Sequence, residues 1–125
     1  MANVTQTQQS IEQLDNELNQ TILQGKLLEA FDKFYAENVV MQENSDTPFE
    51  GFATNRKREE EFISSVEQFH GAELLGSAVH GNRAYSEWAY DVTFKGGSRM
   101  KLAQVAVRQW KDGKIAHERF YYNKG

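Results

Sequence analysis

Apolar residues recur at helical spacing over the first third of the chain and at two-residue spacing over most of the remainder. Ile11, Leu14, Leu18 and Ile22 keep the i, i+3, i+4, i+7 rhythm of a helix. Ser10 and Gln13 form a capping-box pair ahead of them, and Gly25 stops the run. Residues 1–9 are polar and read as a flexible lead-in. Leu27, Leu28, Phe31, Phe34 and Tyr35 give a second, shorter helix a broad apolar face, ending near Asn38. Val39-Val40-Met41-Gln42-Glu43-Asn44 reads as a strand, in which Val39, Met41 and Glu43 share one face. A loop with the single proline follows, then Phe49-Glu50-Gly51 as an extended edge. A third helix is expected from Ala53 or Thr54 to Phe69, with Phe62, Val66 and Phe69 as its core stripe and Gly71 past its end.

Beyond Gly71 the period changes. Gly81-Asn82, Gly96-Gly97 and Asp112-Gly113 are two-residue hairpin signals separating strand runs at 72–80, 83–95, 98–111 and 114–122. Helices first and a meander afterwards predict an α+β domain. Three N-terminal helices should pack in the concave face of a strongly curved, mainly antiparallel sheet, a cone-shaped α+β barrel. Long strands twist, and a twisted sheet over helices tends to form a cup.

Alternation assigns the faces. Trp88, Tyr90, Val92 and Phe94 should face the helices. On the last strand Ala116, Glu118, Phe120 and Tyr122 oppose Ile115, His117, Arg119 and Tyr121 with weaker contrast. Before it, Val105 and Val107 oppose Gln104, Ala106, Arg108 and Trp110, so both faces look partly covered. An outer face that is also apolar predicts a homodimer through the outer sheet face.

Composition narrows the classes. With 125 residues the chain makes one domain, and eight Phe, five Tyr and two Trp mark a globular one. A formal charge of −4 argues against nucleic acid as a partner. Without cysteine, disulfides and thiol chemistry are excluded. The N-terminal MANVTQTQQS lacks the apolar core of a signal peptide, and no run approaches the roughly 20 apolar residues of a membrane span. A cytoplasmic protein with no membrane partner is expected.

Several pieces carry a resemblance: Met41-Gln42-Glu43-Asn44, Asn55-Arg56, Ser86-Glu87-Trp88, Gln104-Val105-Ala106-Val107, Trp110-Lys111-Asp112-Gly113-Lys114-Ile115 and Glu118-Arg119-Phe120-Tyr121-Tyr122. From about Ile11 to Asn123 the chain resembles the SnoaL-like branch of the nuclear-transport-factor-2-like superfamily. The resemblance implies a pocket lined by Trp88, Tyr90, Val92, Arg108, Trp110, Glu118, Phe120 and Tyr122. It puts Glu43 where ketosteroid isomerases of the superfamily hold their general base. Their oxyanion donors correspond here to positions near Leu18, Asn19 and Ala106, which supply no such acid. Each lost donor costs roughly 3–4 kcal/mol elsewhere, so steroid isomerisation is not expected. Cyclases of the branch use an acid on the final strand, which resembles Glu118. The same fold also serves as a plain dimerisation or binding module, so function must come from the site.

The candidate catalytic residues are therefore Glu43, Glu118 and Arg108. Two carboxylates near one pocket suit proton transfer, with Arg108 as anchor; the plainer reading makes Arg108 and Glu118 a cross-strand ion pair and leaves Glu43 at a wet rim. Tyr35, Met41, Asn55, Arg58, Phe62, Trp88, Tyr90, Trp110, Phe120 and Tyr122 are candidates for contacting a small hydrophobic or carbonyl-containing ligand. Such aromatics are more often simply core. Arg56-Lys57-Arg58 before Glu59-Glu60-Glu61 sets cations against the macrodipole of a helix start, so one arginine should have a tertiary partner. Arg58 and Asn55 lie on the Phe62 side of the helix and point toward Glu43 or Glu50. His70, His80 and His117 make no metal-ligand spacing, and neither metal nor cofactor is expected. Two functions stay open: carboxylate acid–base chemistry of the isomerase, cyclase or dehydratase type, or a non-catalytic binding or dimerisation domain.

Overall fold

A computed structural model describes residues 4–124, with side-chain surroundings from Ser10 onward. Helix α1 spans Val4–Leu23, so Ser10 lies inside it rather than capping it, and the expected lead-in is helical from Val4. The part of that lead-in at residues 1–3 lies outside the described residues. Gly25 ends the helix in the left-handed region (φ 78°), where the Gly25 and Lys26 amides donate back to the Ile22 and Thr21 carbonyls. That is a Schellman closure, which a side chain at Gly25 would strain.

Helix α2 (Leu27–Phe34) buries Ala30, Phe31 and Phe34, and the chain then enters strand β1 (Tyr35–Glu43). The expectation of helix to Asn38 is corrected: Tyr35 already pairs with Ile115, its ring stacked on Phe31 at 4.4 Å. After β2 (Phe49–Glu50), helix α3 runs Phe52–Ser65, four residues short of the expected Phe69. Strand β3 (Val66–His80) takes over, pairing Val66 with Phe94. Val66, Phe69 and Gly71 therefore belong to a strand. Phe62, Val66 and Phe69 mimicked a helical stripe because β3 bulges beside them.

Strands β4 (Arg83–Phe94), β5 (Arg99–Lys111) and β6 (Lys114–Tyr121) complete the meander. Asp112 and Gly113, both at positive φ, make the two-residue turn from β5 to β6. The sheet order is β2-β1-β6-β5-β4-β3, antiparallel except where β1 runs parallel to β6. The sheet curves over the helices but does not close: α1 packs on β3 and β4, α3 on β1, and α2 lies between them.

The inward faces follow the alternation on β4 and β5: Ala84, Ser86, Trp88 and Val92 are buried, as are Ala106, Arg108 and Trp110. On β6 alternation fails. Ile115 and Glu118 are both buried, because the register shifts between Gln109 and Trp110. The shift puts Ile115 opposite Trp110 and Glu118 opposite Arg108, so two residues an odd number apart look the same way. Outside, Val105 and Tyr121 sit opposite each other, 36% and 44% exposed.

Candidate functional site

Between the helices and the concave sheet lies a cavity of about 440 Å³. Its floor is polar. Glu118 and Arg108 are direct cross-strand partners, 1% and 2% exposed. Arg108 Nε donates to Glu118 Oε2 at 2.9 Å, and the Tyr35 hydroxyl donates to Oε1 at 2.6 Å. From α1, Asp15 Oδ1 accepts from Arg108 Nη1 and from Trp110 Nε1, each at 3.1 Å. Asn19 Oδ1 accepts from Arg108 Nη1 at 2.7 Å, and Asn19 Nδ2 donates to Ser86 Oγ at 3.2 Å. Burial opposes the charge on Arg108, but Glu118, Tyr35 and Asp15 together outweigh it and push its pKa up. Burial, then the Glu118 carboxylate, raises Tyr35 well above the ordinary phenol, so it stays a donor. The ion pair expected as the plainer reading is present, and it extends into a network tying α1 to four strands.

The lip is a second cluster. Arg58 Nη2 donates to Glu43 Oε2, and the Tyr122 hydroxyl donates to Glu43 Oε1 at 2.8 Å. The Arg58 guanidinium also lies 3.8 Å over the Phe49 ring, and Asn55 Oδ1 accepts from Arg58 Nη1 at 3.1 Å. Burial, then Glu43, pushes the Tyr122 phenol up to about 12. Glu43 is thus partnered from the helix that the charge order singled out. Arg56 has found a tertiary partner as well, Asp32 on α2 at 2.8 and 2.9 Å. The lip pair is part-exposed, at 24% for Arg58 and 33% for Glu43. A double-mutant cycle of Glu43→Gln and Arg58→Ala, read by urea unfolding, should give a coupling of about 0.5–1 kcal/mol. Additive losses would dissolve the pair.

The wall between is apolar, from Met41, Phe62, Trp88, Tyr90 and Phe120. Trp88 and Tyr90 stack at 5.5 Å and 9°. Ten of the thirteen sequence-derived site residues line the cavity, Glu43, Glu118, Arg108, Tyr35 and Arg58 among them. Three do not. Trp110 turns its N–H to Asp15 and its ring edge-on to Phe34 at 6.0 Å, filling core. Asn55, fully buried, donates to the Phe49 and Gly51 carbonyls at 3.0 and 2.9 Å and fastens the β2–α3 corner. Tyr122 reaches the cavity only through Glu43.

Sequence reasoning missed Asp15 and Glu59. Asp15 falls four after Ile11 and three before Leu18, inside the apolar stripe, which was the available signal. Glu59 lies four after Asn55 and three before Phe62, on the same side of α3, and lines the cavity. Among the described residues it has no hydrogen-bond or ion-pair partner. Burial, then Glu118 and also Glu43, lifts its carboxyl to about 7 against the pull of Arg58. Among the described residues, no three His, Cys, Asp or Glu side chains gather as a metal site requires. Nor is any of their helices long and apolar enough to cross a membrane.

A half-open, ring-walled hollow under a curved sheet defines a pocket domain of the nuclear-transport-factor-2-like kind. The chain belongs to the SnoaL-like domain family, whose model matches residues 6–122. A protein of Mesorhizobium loti, proposed as a SnoaL-like polyketide cyclase, is 26% identical, with a TM-score of 0.80 over 90% of this chain and 98% of its own. An LEH-like epoxide hydrolase of M. tuberculosis shares the fold at 14% identity and TM-score 0.75, over 94% and 85% of the two chains. So does a protein of Catenulispora acidiphila with a ketosteroid-isomerase-like fold, solved with trimethylamine, at 12% identity and TM-score 0.70 over 83% and 81%. No curated protein matches the chain by sequence.

Proposed function

We propose that the protein binds a small hydrophobic molecule in the cavity and performs carboxylate acid–base chemistry on it, of the isomerase, cyclase or lyase type. One observation carries this reading: a hollow of about 440 Å³ brings Glu43, Glu59 and Glu118 together with the rings of Phe62, Tyr90 and Phe120. Glu43, at the lip, is the proposed proton acceptor, with the Tyr122 hydroxyl holding its carboxylate in place by a hydrogen bond. Glu118, Tyr35 and Arg108 form the polar end that would orient a carbonyl. Glu59 adds a carboxyl that changes charge near neutrality, which suits proton transfer at that pH. Relatives of this fold named as a cyclase and an epoxide hydrolase support a pocket with chemistry in it.

A second reading, a dimerisation module, is favoured by the exposed Val105 and Tyr121 on the outer sheet face. A thermal-shift screen of small carbonyl compounds separates the two. The pocket reading expects ligands that raise Tm in the native protein and not in Phe62→Trp, whose larger ring fills the hollow. Were no compound to act, while the native protein scattered light as a dimer and Val105→Glu as a monomer, the second reading would stand instead.

A further inference from the structure

We propose that the molecule this cavity selects is a small organic ammonium ion, held by Glu59 against the ring of Tyr90, which the buried Trp88 backs. The inference rests on the pocket reading above and names its ligand class.

Charge balance is the first ground. Four carboxylates line the hollow, Glu43, Glu59, Glu61 and Glu118, against two guanidinium groups, Arg58 and Arg108. Both cations are already committed. Arg58 serves Glu43 from the lip, and Arg108 serves Glu118 and Asp15 beneath the floor. An anionic ligand would therefore have to displace a built ion pair, whereas a cation meets unspent negative charge. Glu61 is exposed and belongs to the mouth, where it would draw cations inward.

Glu59 supplies the second ground. Glu59 is half-buried, and the cavity's other inward carboxylates, Glu118 and Glu43, each have two partners. Glu59 has none among the described residues, although its neighbours include Arg58 on its own helix. The groups facing it are Glu43 and Tyr35 from β1, Glu118 from β6, Arg108 from β5 and Tyr90 from β4. Burial first, then the Glu118 and Glu43 carboxylates, disfavour its charge, and its carboxyl is lifted to about 7. A bound cation reverses that balance by giving Glu59 the counter-charge the protein withholds.

The rings are the third. Trp88 and Tyr90 lie parallel at 5.5 Å, and Phe69 leans on Tyr90 at 6.3 Å. Aromatic faces attract ammonium ions, most strongly where water is excluded, and methylated ammonium ions best match such a wall. A carboxylate with no N–H partner beside a ring wall is the donor set an alkylammonium requires.

Calorimetry with choline and its uncharged isostere 3,3-dimethylbutan-1-ol tests this on the native protein and on Glu59→Gln. At pH 7, in phosphate and HEPES buffers of unlike ionisation heat, choline should bind native protein at least about tenfold tighter than the alcohol. Its binding should release a fraction of a proton, because Glu59 is half protonated at that pH and ionises on pairing. Glu59→Gln should lose both the preference and the proton release, and thermal unfolding will show that it is folded. Equal binding of the two probes, or choline binding undiminished in Glu59→Gln, overturns the inference and leaves the pocket intact. If neither probe binds either protein, the inference falls; if the carbonyl screen is also blank, the pocket reading falls with it.

Discussion

Replacing Arg108 with methionine should lower the unfolding free energy by about 3–5 kcal/mol, the largest effect expected of any single change in this domain. The reason is what stays behind. Glu118 at 1% exposure and Asp15 at 3% would each keep a carboxylate out of water without the cation that both now address. Tyr35, Asn19 and Trp110 would still donate or accept, but a hydroxyl, an amide or an indole N–H does not offset a buried charge. In the unfolded chain both carboxylates are hydrated, so the loss falls on the folded state alone. Urea unfolding at constant m-value measures it. Arg108→Met with Glu118→Gln should then recover part of the loss, because the second change removes one of the stranded charges. A loss below about 1 kcal/mol would show the floor to be wet.

Glu59→Gln should do the opposite, and only at the right pH. The folded protein holds the Glu59 proton up to about pH 7, whereas the ordinary value is 4.5. Between those values the folded state binds more protons than the unfolded one, so stability falls as pH rises. Below about pH 4.5 the residue is protonated in both states and contributes nothing to that slope. Above pH 7 the full cost of its charge is present. A shift of this size corresponds to about 3 kcal/mol, and water in the half-open cavity brings it nearer 2. The variant's advantage over the native protein should therefore be absent near pH 4.5 and grow to about 2 kcal/mol by pH 8. Other groups titrate in both proteins, so the difference curve isolates this one. A flat difference across that range would mean Glu59 is hydrated like a surface residue.

The contrast between these two residues shows where sequence is informative. Arg108 was legible because alternation on β5 placed it beside Trp110 and across from Glu118, and strand periodicity is a local property. Glu59 was hidden inside a run of three glutamates, where only the helix's final orientation decides which one turns inward. Asp15 carried a readable sign, a carboxylate within an apolar stripe, yet its strand partners, Arg108 and Trp110, lie more than 90 residues away in sequence. The element boundaries erred for a related reason. Tyr35 and Val66 each continued a helical rhythm, and both left it because a distant strand offered main-chain partners. Local periodicity cannot foresee such pairing. The inward turn of both Ile115 and Glu118 was equally illegible, since a register slip of one residue has no signature of its own.

Strand β3 slips against β4 three times, between Val66 and Gln68, Phe69 and Gly71, and Leu74 and Gly76. Those surplus residues lengthen the free border of the sheet and leave Leu75 outside at 52% exposure. A border so crooked is a poor template for fibril growth, since a second chain laid along it would lose register every few residues. The same irregularity that lets the sheet bend thus also guards a fifteen-residue open edge against amyloid stacking.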